Sequence, residues 1–165
     1  MDKGKTVSFS GYRPEKFSFI LMDNQEAYLH LESRIRSEII KAALDGYDTL
    51  LCGMARGFDL VCGNIAIQLK QDLVEWSNLR LIAVQPYRSH DFSGPWGIMH
   101  SLVMSRADKV VYSAEKYSRQ VFHVRNRYLV DHSSRLICYY DGQAGGTDYT
   151  VKYAKNKGLQ IINLR

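Results

Sequence analysis

Short apolar, β-rich runs recur along the chain at Lys5 to Phe9, Thr49 to Cys52, Leu79 to Val84, Lys109 to Tyr112, Arg135 to Tyr140 and Leu159 to Asn163. Each reads as a strand, and the segments between them carry glycine turns followed by helical periodicity. Ala27, Leu31, Ile35, Ile39 and Ala43 recur at four-residue steps and predict one long amphipathic helix, ended by Gly46. Phe58, Val61, Ile65, Leu69 and Leu73 predict a second helix that starts directly after Arg56-Gly57. Tyr87 to Trp96 shows no period and reads as a loop over the sheet edge, either a lid or a simple connection. Strands alternating with helices predict an α/β fold: a three-layer, open, mainly parallel sheet of about six strands with helices on both faces.

Composition adds little to this picture and removes some alternatives. The 165 residues suit a single domain spanning 1–165, and no linker or repeat marks a second. Cys52, Cys62 and Cys138 are odd in number and lack CxxC spacing, which favours a reducing cytoplasm over a disulfide framework. The start, Met1-Asp2-Lys3-Gly4-Lys5, leads into a strand rather than a signal-peptide core, and no apolar run is long enough to span a membrane. The formal charge of +5 is scattered rather than clustered. It serves solubility or an acidic partner, and composition does not separate the two.

In an open parallel sheet every strand ends on the same edge, and ligands bind there, at the point where the strand order reverses. Ser10-Gly11-Tyr12-Arg13-Pro14 follows the first strand, Gly53-Met54-Ala55-Arg56-Gly57-Phe58-Asp59 the second, and Asp141-Gly142-Gln143-Ala144-Gly145-Gly146-Thr147 the fifth. Glycines allow tight turns and close approach, and amides at a helix start favour an anion, so Gly11, Gly53, Gly57, Gly145 and Gly146 are candidates for cradling a phosphate. Arg56 is placed to fork onto a phosphate or to pair with a surface carboxylate. Asp59 is placed to reach a ribose hydroxyl or to complement its helix dipole. Pro86 and Tyr87 follow the third strand at the same edge. Tyr12, Tyr87, Trp96 and Tyr117 all fall in expected loops, and Tyr12 and Tyr87 are the best placed to stack on a base. His30, His90, His100, His123 and His132 show no ligand spacing, so no metal is expected, and no serine sits in a GxSxG elbow.

Cys52-Gly53-Met54-Ala55-Arg56-Gly57-Phe58-Asp59 resembles the SGxARGxD segment of the SLOG superfamily, which joins the DNA-processing protein A group and the LOG phosphoribohydrolases. Phe122-His123-Val124-Arg125-Asn126-Arg127 resembles the F-x-x-RNR element of the DNA-processing group, and Gly145-Gly146-Thr147-Asp148-Tyr149-Thr150 falls where that group has SGSxxT. Ser10-Gly11-Tyr12-Arg13-Pro14 and Tyr139-Tyr140-Asp141-Gly142 resemble the YpsA-like family within the superfamily, although many YpsA-like proteins carry glutamine in the second loop, where this chain has Met54-Ala55-Arg56. The resemblance implies a Rossmann-like fold and a nucleotide-derived ligand at the glycine loops. It also implies that Gly11, Tyr12, Arg13, Gly53 to Gly57, Asp59, Pro86, Tyr87, Arg125, Asn126, Asp141 and Gly145 to Thr147 face that ligand, with Arg127 free to point elsewhere.

Three functions remain open on this reading. The first is binding or sensing of ADP-ribose, NAD or a nucleoside phosphate, the cofactor if any being unknown. The second is cleavage of a nucleotide's N-glycosidic bond. The LOG motif PGGxGTxxE supplies a glutamate that Asp148-Tyr149-Thr150-Val151 lacks, so Asp59, Asp141 or Asp148 would have to replace it. The third is single-stranded DNA binding through Arg56, Arg125 and the scattered lysines. Many members of the superfamily associate, so a homo-oligomer fits the resemblance, and no membrane partner is expected.

Overall fold

The computed structural model describes Met1–Arg165. Its strands are β1 (Thr6–Gly11), β2 (Thr49–Cys52), β3 (Arg80–Gln85), β4 (Lys109–Tyr112), β5 (Arg135–Tyr139) and β6 (Gln160–Asn163). They pair in parallel throughout, in the spatial order β4-β3-β2-β1-β5-β6. The helices are α1 (Glu26–Leu44), α2 (Phe58–Asp72), α3 (Gly94–Arg106), α4 (Val121–Asp131) and α5 (Gly146–Asn156).

Alternation along the strands sorts the two faces. Val7, Phe9, Leu50, Cys52, Leu81 and Ala83 join the side chains of α1, α2 and α3 in the larger core. Leu51, Ile82 and Val84 meet Leu129 of α4 on the other face, and Leu136 and Cys138 pack with Val151 and Ala154 of α5. Ser8, on that second face, is buried, and its hydroxyl shares a 2.8 Å hydrogen bond with the hydroxyl of Ser133, which also donates to the Leu129 carbonyl. Three layers result, as the pattern predicts.

The expected elements are present, with shifts that helix geometry explains. The buried stripe of α1 is Tyr28, Leu31, Ile35, Ile39 and Ala42, not one running from Ala27 to Ala43. Strict four-residue steps drift around a helix of 3.6 residues per turn, so the ends of the stripe move by one position. Leu73 falls just past the end of α2 and is partly exposed. Helix α3 begins inside the stretch expected to be a loop and places Trp96 on a helix. Its Pro95 occupies the first turn, where a missing N–H is harmless.

The chain runs outward from β1 to the β4 edge, then returns through α4 to place β5 beside β1. The strand order therefore reverses between β1 and β5, and the loops after β1, β2 and β5 converge there. Gly57 joins two of these loops: its φ is +94°, and a Cβ on it would lie 2.5 Å from the Tyr12 carbonyl oxygen. The next residue, Phe58, donates its amide to that same carbonyl at 3.2 Å.

Gly57→Ala is expected to lower stability by roughly 2–4 kcal/mol, combining backbone strain with the clash. Gly146→Ala, with nothing within 4 Å of an added Cβ, is expected to change stability by less than about 0.5 kcal/mol. Urea unfolding of the two variants beside the parent measures both, and equal losses would contradict the assigned role of Gly57.

Candidate functional site

A cleft of about 380 Å³ opens where the strand order reverses. The β1 loop lines it with Gly11, Tyr12, Arg13 and Lys16, and the β2 loop and the start of α2 with Ala55 and Asp59. Phe122, Arg125 and Asn126 enter from α4, and Gly146 and Thr147 begin α5. The first amides of α5 thus face an opening that also holds three cationic side chains, an arrangement suited to an anion.

Arg125 and Asp59 form the floor. Arg125 is 5% exposed; its Nε donates to Asn126 Oδ1 at 2.8 Å, and its Nη1 is buried with no hydrogen-bond partner. Burial lowers the guanidinium pKa, and the Asp59 carboxylate opposes that change. Asp59 is 4% exposed and accepts from the Gly11 amide at 3.3 Å. Burial pushes its pKa up to about 6, against the pull of Arg125 and of the Gly11 and Ala55 amides. Gly53 makes room for the pair: a Cβ there would lie 2.7 Å from Asp59 Oδ2 and 3.0 Å from Arg125 Nη1.

A smaller recess of about 90 Å³ adjoins the cleft. It shares Arg13, Ala55, Phe122 and Arg125 with the cleft and adds Arg56, His90 and Phe92. Burial, together with Arg125, His100 and Arg13, lowers the His90 pKa to about 4, so its imidazole is neutral at pH 7.

Residues 7–162 match the profile of the YspA SLOG family, YpsA. The chain belongs to the YpsA SLOG family. Among its relatives, a UPF0398 protein of Bacillus cereus is 22% identical over 159 residues, which is 93% of this chain and 84% of that protein. A UPF0398 protein of Bacillus thuringiensis is equally similar. In fold, the chain is similar to DNA processing protein A (DprA) of Streptococcus pneumoniae, with a TM-score of 0.64 at 16% identity over 98% of this chain. It is also similar to DprA of Helicobacter pylori, a protein that binds single-stranded DNA, with a TM-score of 0.65 at 16% identity over 98% of this chain. The chain spans 50% of the first DprA chain and 65% of the second. TM1055 gives a TM-score of 0.53 at 15% identity over 95% of this chain and 72% of its own.

Within this YpsA-family chain, the expected site residues divide into groups. Gly11, Tyr12, Arg13, Ala55, Asp59, Arg125, Asn126, Gly146 and Thr147 come together at the cleft. Gly53, Met54 and Gly57 are buried backbone beneath it, Met54 holding a φ of +62°. Arg56 turns toward the recess and pairs with Glu15 at 2.8 Å, the surface-carboxylate alternative. Pro86 and Tyr87 line neither cavity; Tyr87 packs edge-on against His90 and Tyr117. Gly145 is exposed beside the Lys16 ammonium. Arg127 is exposed, and Asp131, one turn further along α4, bonds with Lys157 and Tyr153.

Two expectations are corrected by packing. Tyr12 does not offer a free ring face, because it is enclosed by Phe17, Tyr139 and Tyr140, with Lys16 over the ring. Its hydroxyl donates to Asp141, so this pair ties the β1 loop to the β5 loop rather than holding a base. Trp96 lies on α3 and lines neither cavity. Lys16, Phe122, His90 and Phe92 were absent from the expected set. Phe122 opens the F-x-x-RNR element, but the others carry no local motif that would single them out.

Because folded Asp59 holds its proton more tightly than an unfolded chain does, the parent should lose stability relative to Asp59→Asn as pH rises from about 4 to about 6. The expected slope is about 1.4 kcal/mol per pH unit, flattening above that window. Urea unfolding of both proteins across the range checks this. A constant difference would mean that the carboxyl titrates as an exposed one.

Proposed function

We propose that this chain binds a nucleotide-derived ligand, of the class of ADP-ribose, NAD or a nucleoside phosphate, with a phosphate held in the cleft at the reversal of strand order. The observation that carries this reading is the buried, unpartnered Nη1 of Arg125. Burying a guanidinium whose N–H groups are not all used is costly, and a phosphate in the cleft that Arg125 lines would add an acceptor and a counter-charge. The amides that begin α5 and the Lys16 ammonium would serve the remaining oxygens. Backbone amides and guanidinium groups recognise phosphate whatever is attached to it, so base and sugar are left to the ligand screen.

A second reading, cleavage of an N-glycosidic bond, draws support from Asp59. Of the three candidate acids it alone lines the cleft, and its raised pKa suits proton transfer near neutrality. Asp141 is engaged by Tyr12, and Asp148 by Tyr140 and Lys152. Single-stranded DNA binding, the subject of the Helicobacter DprA structure, is a third reading in which the exposed Arg13 and Lys16 would meet the backbone.

A thermal-shift and titration screen with ADP-ribose, NAD, AMP and cyclic nucleotides tests the first reading. Arg125→Gln should weaken the bound nucleotide by roughly 2 kcal/mol, about thirty-fold. Gly146→Asp should abolish binding by placing a carboxylate at the α5 start, and Arg127→Gln should leave it intact. A ligand bound equally by all variants would sink the site. Release of free base that Asp59→Asn abolishes would favour the hydrolase. Oligonucleotide binding that falls steeply with salt, without competition from mononucleotides, would favour DNA.

A further inference from the structure

We infer that the recess beside the cleft is a second phosphate subsite, so that the ligand carries two phosphate groups rather than one. This deepens the reading above and rests on it for the first phosphate. The recess, at about 90 Å³, has room for a group of a few heavy atoms and is far smaller than the cavities that hold whole ligands. Three of its seven lining residues are arginines, Arg13, Arg56 and Arg125, and none is a carboxylate. The main cleft, by contrast, includes Glu15 and Asp59. Arg125 faces Asp59 and Arg56 the surface carboxylate of Glu15, both outside the recess, so the recess gathers three guanidinium groups with no carboxylate on its own walls.

The remaining walls favour an anion there too. Phe92 and Phe122 are apolar, and His90 packs edge-on against both. His90 is neutral at pH 7 and adds no charge of its own, so the charge offered to a ligand there is that of the guanidinium groups. Apolar walls exclude water and raise the worth of each charge-assisted hydrogen bond. Arg125, buried with Nη1 unpartnered, lines both cavities. Arg13 also lines both, with its guanidinium 5.8 Å from the centroid of the Phe122 ring.

Arg56 is the residue that distinguishes the recess, since it does not line the main cleft. Its ion pair with Glu15 sits at the surface, the two side chains being 32% and 61% exposed. Exposed pairs of this kind contribute little, so Arg56 is free to exchange the Glu15 carboxylate for a phosphate. Linked phosphates, as in a nucleoside diphosphate or dinucleotide, and phosphates on separate hydroxyls share this chemistry.

Titration calorimetry on the full chain separates these cases, using AMP, ADP, a nucleoside bisphosphate with phosphates on different hydroxyls, and inorganic pyrophosphate. ADP or the bisphosphate should bind the parent at least about tenfold more tightly than AMP, and whichever binds better identifies the spacing. In Arg56→Gln, which removes only a surface ion pair and should keep the parent's melting temperature, the ratio should fall to near one through loss of affinity for the doubly phosphorylated ligand. Equal binding of AMP and both doubly phosphorylated nucleotides by the parent would overturn the second subsite while leaving the first. So would a ratio that persists in Arg56→Gln, or an equal loss for AMP. If AMP does not bind but pyrophosphate does, and Arg56→Gln abolishes it, the cleft reading fails and the recess stands. If no probe binds the parent, both fail.

Discussion

A guanidinium buried to 5% exposure with one nitrogen unpaired is costly to hold, and the surrounding backbone is arranged around it. Transfer of an arginine out of water is tolerated only where charge and hydrogen bonds partly replace the solvent. Asn126 supplies one bond and Asp59 the opposing charge, but Nη1 is left over. Asp59 in turn is held under the Gly11 amide, and Gly53 forgoes a side chain so that both groups fit. Removing any one of these elements exposes the cost borne by the others. Retaining an incompletely satisfied charge in a core is the kind of expense that proteins bear where function requires it.

The same constraint explains why the loops are stitched so closely. The Phe58 amide reaches the Tyr12 carbonyl, the Gly11 amide reaches Asp59, and the Tyr12 hydroxyl reaches Asp141. Three loops from β1, β2 and β5 are thereby held to one another before any ligand is present. A site built this way loses little conformational entropy when it is occupied, because its backbone is already fixed. Tyr12, which reads in the sequence as a platform for a base, serves this linkage instead.

The sheet, its parallel sense and the edge that carries the site were legible because they rest on local signals. Apolar runs of four to six residues, helical stripes and glycine turns all report on the chain within one or two elements. Phe58 to Asp59 at the start of α2 and Gly146 to Thr147 at the start of α5 were readable for the same reason. The recess was not. Arg13, Arg56, His90, Phe92 and Arg125 come from three separate loops and a helix, and only the tertiary path through α3 and α4 places them together. Helix α3 reads as a loop in the sequence because it opens on Ser93-Gly94-Pro95-Trp96-Gly97, which carries turn signals, and because no carboxylate, lysine or arginine before Arg106 marks a polar face.

The fate of the three candidate acids bears most directly on chemistry. Asp148, the residue that follows the Gly146-Thr147 start of α5, is drawn away to Tyr140 and Lys152, and both contacts hold its pKa below the usual carboxylate range. Asp141 is held low in the same sense by the Tyr12 hydroxyl. Neither is suited to carrying a proton near neutrality. Asp59 is, but its carboxyl is committed to balancing Arg125, and a phosphate bound to that arginine would add a second negative charge beside it. The two anions would compete for one guanidinium, so an arriving phosphate raises the affinity of Asp59 for a proton. By the reciprocity of linkage, protonation of Asp59 must favour the phosphate by the same factor, and a proton taken up on binding is one that cannot leave Asp59 ionised as a base. Beside a bound phosphate Asp59 would therefore serve as a proton donor rather than a base, the one direction of proton transfer that the coupling leaves open.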